Sequence, residues 1–150
     1  MRPSRYVLWA CLVALILLFS YCSSVSADDG EQVYRAYART TAVSHGLDPD
    51  AFEQQLYVES RYDPNAFNRS GACGIAQIVP VYHPGVNCWD PYESMDYAAG
   101  LMEQYLEKFG SYRLALAAYQ AGESSVVSAR GVPRIPETVW YIDSVLSPDD

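Results

Sequence analysis

The chain has 150 residues, of which 18 are acidic and 10 basic, for a formal net charge of −8. That length favours one domain with a short extra segment, and 19% charged residues with 13% aromatics exclude a disordered chain. One lysine, Lys108, and scattered arginines cannot build the basic surface that nucleic-acid phosphates require.

Arg2 and Arg5 precede an unbroken apolar run from Tyr6 to Phe19, and a small, polar stretch then ends in Val25-Ser26-Ala27. A basic start, an apolar core and small residues at Val25 and Ala27 predict a signal peptide over 1–27, cleaved after Ala27. The alternative is an uncleaved anchor, although the run is shorter than the roughly 20 apolar residues of a membrane span. Cys22 raises a lipoprotein reading, but Tyr21 occupies a position that a lipobox reserves for a small residue. Cleavage removes two arginines and no acids, so the expected domain, 28–150, carries 8 basic and 18 acidic residues. Its net charge is then −10, and its size suffices to bury roughly two thirds of the unfolded surface.

Cys11 and Cys22 leave with the leader, and Cys73 and Cys88 remain. Two cysteines in an exported chain are expected to pair. A loop of this size restrains the denatured state by about 3 kcal/mol.

Val33, Tyr34, Tyr37, Thr41 and Ser44 fall at helical spacing, which predicts a helix over 31–45 stopped by Gly46. Asp48-Pro49-Asp50 starts a second helix, with an acidic cap and proline at the first position, running to about Arg61. Residues 64–91 hold four prolines, three glycines and both remaining cysteines, an irregular segment with room for a short hairpin around Gly74–Val79. Pro91 to Phe109 returns to helix, with Met95, Ala98, Leu101, Met102, Tyr105 and Phe109 as its stripe. Arg113–Ala121 is a small Ala-rich helix, and Pro136 to Leu146 a last one with Val139, Ile142, Val145 and Leu146 inward. The expected class is α+β, mostly α, with a small β-hairpin or loop insertion.

One acid breaks the pattern. Phe52 and Leu56 form the apolar stripe of the second helix, and the next position on it, i+7, is Glu59. A carboxyl aimed along an apolar face near a helix C-terminus is disfavoured as an anion by burial and by the helix dipole. A carboxyl kept protonated near neutral pH is what a general acid needs. The alternative is a Glu at the exposed end of the stripe, or one paired with Arg61 or Arg69.

Glu59 stands within four ordered motifs. They are His45-Gly46-Leu47-Asp48-Pro49 leading to Glu59-Ser60-Arg61-Tyr62-Asp63-Pro64-Asn65-Ala66; Ser70-Gly71-Ala72-Cys73-Gly74-Ile75-Ala76-Gln77; Ala117-Ala118-Tyr119-Gln120-Ala121-Gly122; and Ile135-Pro136-Glu137-Thr138 with Tyr141. Over about residues 45–146 this series resembles the lytic transglycosylase domain family, related in fold to goose-type lysozyme. The resemblance implies a lysozyme-like fold and peptidoglycan glycan strands as substrate. Gln120 stands where the family has Asn, and Ala76 where it has Met, so bulk is missing from the expected cleft wall. A Cys73–Cys88 bridge is expected to fix that wall instead.

The resemblance further implies that Glu59 protonates the oxygen between N-acetylmuramic acid and N-acetylglucosamine. The substrate's own acetamido group then stabilises C1, and the C6 hydroxyl attacks it to leave a 1,6-anhydromuramoyl end. No cofactor is implied, and the sequence offers no metal constellation. Ser60, Ser70, Gln77, Tyr119, Gln120 and Tyr141 are the expected substrate contacts. Gln77 both donates and accepts, and a tyrosine offers a flat face and a hydroxyl to a sugar ring. Against these stand a solvated hydroxyl for Ser60, a turn cap for Ser70 and a backbone-bonding role for Gln77. His45 and His83 read as ordinary polar residues, and the Asn68-Arg69-Ser70 sequon as unused.

Two alternatives remain open. A hydrolytic muramidase needs a second carboxylate facing Glu59, for which Asp63, Asp90 and Asp96 are available. A non-catalytic glycan-binding or assembly subunit could use the same scaffold. A periplasmic or extracellular monomer is expected, with wall remodelling, a cell-envelope-spanning secretion or conjugation machine, or a virus as its setting. A charge of −10 opposes approach to an anionic wall at long range. Activity on peptidoglycan is therefore expected to fall as ionic strength is lowered, and a maximum at the lowest salt in a salt titration would contradict this.

Overall fold

The computed structural model describes residues 27–147. The expected leader lies outside the described residues except for Ala27, as do residues 148–150. Apart from the first residues of α1, everything considered below belongs to the compact unit that begins at Tyr34.

The described residues are mostly helical. The helices are α1 (Ala27–Ser44), α2 (Pro49–Ser60), α3 (Pro91–Phe109), α4 (Tyr112–Ala121), α5 (Glu123–Ala129) and α6 (Pro136–Leu146). α1 begins earlier than its periodicity predicted. Its buried positions are Ala38, Thr41 and Ala42, with Tyr34 and Tyr37 half-buried, whereas Val33 and Ser44 are exposed. Gly46 ends it in the left-handed region (φ 66°) while the Leu47 amide bonds back to the Ala42 carbonyl at 2.9 Å.

α2 and α3 start alike. Asp48 accepts from the amides of Asp50 and Ala51, and Asp90 from those of Tyr92 and Glu93, with proline following each cap. α2 stops abruptly because Arg61 and Tyr62 both take left-handed conformations, at φ 55° and 61°. A non-glycine residue there costs on the order of 1 kcal/mol. The turn is held by the Tyr62 hydroxyl, which donates to the Glu53 carbonyl at 2.9 Å, and by Arg35, whose guanidinium lies 4.9 Å from the Tyr62 ring centroid.

The segment between α2 and α3 is the loop insertion, but the expected hairpin is not formed. Two isolated bridges stand in its place, Phe67 with Cys73 and Cys73 with Ile78. Cys73 and Ile78 exchange both backbone hydrogen bonds, at 3.0 and 3.1 Å, around the turn Gly74-Ile75-Ala76-Gln77. The Cys73–Cys88 disulfide pins this turn, and Pro64, Pro80, Pro84 and Pro91 lie on either side of it. The disulfide expectation holds.

α4 sits at the centre, with Ala115, Leu116, Ala117 and Ala118 fully enclosed and α3, α5 and α6 packed around it. Its alanines permit close helix approach, and Phe52, Leu56, Met95, Met102, Ile142 and Val145 supply the volume. α5 is an element that the sequence reading left out. α6 turns differently from expectation. Thr138, Tyr141, Ile142 and Val145 face inward, while Val139 is exposed and Leu146 only half-buried.

The loop places one strict demand on sequence. Gly74 has φ +72°, and a Cβ there would lie 1.8 Å from the Cys88 carbonyl oxygen. Gly74→Ala is therefore expected to destabilise the protein by more than about 2 kcal/mol. A denaturation midpoint equal to that of the wild type would refute this packing.

Candidate active site

Glu59 sits one residue before the end of α2, where the helix packs on α6. Phe52 and Leu56 on the same face are fully buried, so the face predicted to be apolar is the one that faces the core. Neither Arg61 nor Arg69 neutralises the acid. The hydroxyl of Tyr141 donates to its Oε1 at 2.5 Å. Burial pushes the Glu59 carboxyl up to about 7, and the Tyr141 hydrogen bond acts in the opposite direction. With Oε1 accepting from Tyr141, a proton on Glu59 resides on Oε2.

Glu53, six residues earlier on α2, has the opposite fate. Burial pushes its carboxyl up, but Arg39 and Arg35, each 2.7 Å away, outweigh this and hold it below the usual value. One helix thus carries a carboxylate kept ionised by arginines and a carboxyl kept protonated by burial.

Glu59, Val58, Gln120, Glu137, Trp140 and Tyr141 line a cavity of about 530 Å³. A second cavity, of about 540 Å³, is lined by Gln77, Tyr82, His83, Tyr105, Tyr119 and again Gln120. Gln120 lines both cavities, whose walls come from α2, the loop insertion, α4 and α6. A larger hollow of about 1060 Å³ adjoins the first across Pro136 and Trp140 but does not include Glu59.

The expected substrate residues fall into two groups. Gln120 and Tyr141 line the cavity of Glu59, and Gln77, Tyr119 and again Gln120 line the second cavity. Each also has a bond within the protein. Tyr119 donates to the Ala76 carbonyl at 2.7 Å, Gln120 accepts from Thr138 at 2.6 Å, and Gln77 donates to the Gly74 carbonyl at 2.9 Å while accepting from Asn68 at 3.1 Å. Gln77 itself takes a left-handed conformation, φ 50°, which turns the chain at the cleft wall. Ser60 and Ser70 line neither cavity. The Ser60 hydroxyl donates to the Ile75 carbonyl at 2.8 Å, tying the end of α2 to the loop. Ser70 is exposed in a turn capped by Asn68, whose side chain accepts from the Ser70 amide at 2.8 Å.

The carboxylates considered as partners of Glu59 are engaged elsewhere. Asp63 accepts from the Asn65 amide, Asp90 caps α3, and Asp96 accepts from Tyr37 and Thr41. The carboxylate that does share the cavity is Glu137. Sequence reasoning passed over it, and over Trp140, although Glu137 lies inside a quoted motif and Trp140 is one helical turn further on. His45 pairs with Glu103 at 2.6 Å, in keeping with an ordinary polar role. His83, read the same way, meets Tyr97 at 3.0 Å and lines the second cavity.

The model of the transglycosylase SLT domain family matches residues 36–136, about two thirds of the chain. The protein belongs to that family. The match takes in Glu59 and ends at Pro136, five residues before Tyr141. The chain is also similar to a protein named transglycosylase from Enterobacteria phage PRD1, at 27% identity over 84 residues, which is 54% of this chain. It spans only 32% of that relative's length. The lysozyme-like fold expected for an SLT transglycosylase is the mostly helical one described above.

A half-buried carboxyl with a raised pKa weakens folding as pH rises. The unfolded chain releases the Glu59 proton near the ordinary value of 4.5, whereas the folded one holds it to about 7. Stability is therefore lost between these values and stays constant above. Glu59→Gln removes this loss and keeps an oxygen for the Tyr141 hydroxyl. The variant is expected to exceed the wild type by on the order of 3 kcal/mol at pH 8, and by little at pH 4.5. Denaturant curves at the two pH values measure the difference, and equal gains at both would contradict it.

Proposed function

We propose that this SLT-domain protein is an exported peptidoglycan lytic transglycosylase with Glu59 as its general acid and then base. The observation that carries the reading is the half-buried Glu59 carboxyl, pushed up to about 7 by desolvation, lining a cavity and bonded to Tyr141. Near neutral pH such a group holds a proton and can surrender it to a leaving oxygen.

In this reading a glycan strand lies along the cleft, with Gln77, Tyr119 and Gln120 on one side of Glu59 and Trp140 on the other. Glu59 gives its proton to the glycosidic oxygen as the C1–O bond of N-acetylmuramic acid breaks. The sugar's acetamido oxygen stabilises C1. Glu59, now a carboxylate, accepts the proton of the C6 hydroxyl as that oxygen bonds to C1. The ring closes to a 1,6-anhydro end, and Glu59 regains its proton for the next cycle. The Tyr141 hydrogen bond is strongest while Glu59 is ionised, so it stabilises the intermediate state. Export through the 1–27 leader would bring the domain to the wall, where it acts as a monomer or within a machine that crosses the envelope.

Glu137 favours keeping a second reading. A carboxylate in the same cavity could activate a water, and the protein would then be a hydrolytic muramidase. Mass spectrometry of muropeptides separates the two. Anhydro ends, one water lighter than reducing ends, are expected from the wild type. Glu59→Gln should lose at least about 100-fold in rate. Reducing ends would establish hydrolysis, and absence of cleavage by the wild type would leave a glycan-binding module. Because Glu59 must be protonated to act as the acid, the wild-type rate should fall as pH rises through about 7.

A further inference from the structure

Gln55 stands out once the cleft is accounted for. It is 0% exposed, and among the described residues neither Nε2 nor Oε1 has a hydrogen-bond partner of ordinary geometry. A buried amide in that condition destabilises the fold, and a Met or Leu of similar volume would avoid the cost. Its place explains why it is there. Gln55 lies one helical turn before Glu59, at i and i+4 on the face of α2 that meets α6.

The group it approaches is Tyr141. Burial, then the charges of Glu59 and Tyr119, push the Tyr141 hydroxyl well up, and the Gln55 amide acts against them as a donor to that hydroxyl. The contact falls short of a closed hydrogen bond. A tyrosine hydroxyl has one proton and can also accept. A donor behind its oxygen leaves that proton directed at Glu59 Oε1.

We propose that Gln55 is a positioning residue for the transglycosylase reaction: its Nε2 closes onto the Tyr141 oxygen when Glu59 ionises, committing the tyrosine's proton to the Glu59 carboxylate. The proposal rests on the reading of Glu59 as the acid. The other titratable groups facing Glu59 are Tyr119 from α4 and Glu137 from α6, and neither is in a position given to Gln55's role.

The test compares wild type, Gln55→Met, Tyr141→Phe and the double variant in the full-length protein. Gln55→Met is expected to be at least as stable as the wild type, since two unpaired polar atoms are removed. Its kcat should fall about tenfold with KM within about twofold, and the alkaline limb of its kcat profile should move to higher pH. In the Tyr141→Phe background the same substitution should change kcat by less than about twofold. Titration of the Glu59 carboxyl by ¹³C NMR should show an upward shift in Gln55→Met. An unchanged kcat and unchanged titration, or effects of the two substitutions that simply add, would overturn the proposal. Where Gln55→Met fails to fold, Gln55→Ala is read by the same measurements, and unfolding of both assigns Gln55 to the core alone and overturns it. If the wild type does not cleave peptidoglycan, the functional reading fails while the NMR titration still decides the Gln55–Tyr141–Glu59 coupling.

Discussion

The hydrogen bond from the Tyr141 hydroxyl to Glu59 joins α2 to α6, beside a second from the Gln54 amide to the Ser144 carbonyl. It reaches across 82 residues of sequence, so it exists only when α2 and α6 are both docked on the core. Burial of the carboxyl and formation of this bond are opposed in their effect on its proton. Burial wins, and the carboxyl rests near neutrality, close to where transfer in either direction is easy. The rest of the fold serves to keep that balance. The Asp48 cap sets where α2 begins, the left-handed pair Arg61 and Tyr62 sets where it ends, and the alanine face of α4 lets the surrounding helices come close enough to exclude water.

Much of this was legible in sequence because the signals were local. The Asp48 cap with its following proline marks the start of α2, and Gly46 marks the end of α1. The i, i+4, i+7 spacing of Phe52, Leu56 and Glu59 put an acid on a buried face. The same spacing includes Gln55, at i+3 from Phe52, yet a glutamine on that face drew no notice. Its importance depends on Tyr141, far along the chain, and no local pattern carries that information.

Two of the failures in the reading share a cause. Ser60 and Ser70 are expected as substrate contacts from the motifs that hold them, and in the structure neither lines the two cavities. A hydroxyl goes to the nearest backbone acceptor, however, and for Ser60 that is Ile75. The hairpin is expected from composition, but the segment holds a turn with two isolated bridges, pinned by the disulfide. Val139 was placed inward by apolarity, while the phase of α6 is set by Tyr141 and Ile142. For Ser60 and Val139 a partner distant in sequence sets the outcome, and such partners are not written in periodicity.

The contact between Gly74 and the Cys88 carbonyl has a meaning for how this cleft can change over evolutionary time. The bridge draws the backbone of residue 88 over the α-carbon of residue 74, and the space that a side chain would need is gone. Glycine and bridge therefore form one inherited unit, since neither is easily exchanged while the other stays. Further along the loop, Val81 and Tyr82 are 78% and 77% exposed and carry no such constraint. Tyr82 also lines the second cavity. A wall locked at its base and open at its rim can accept substitutions at the rim without moving the backbone that the disulfide holds.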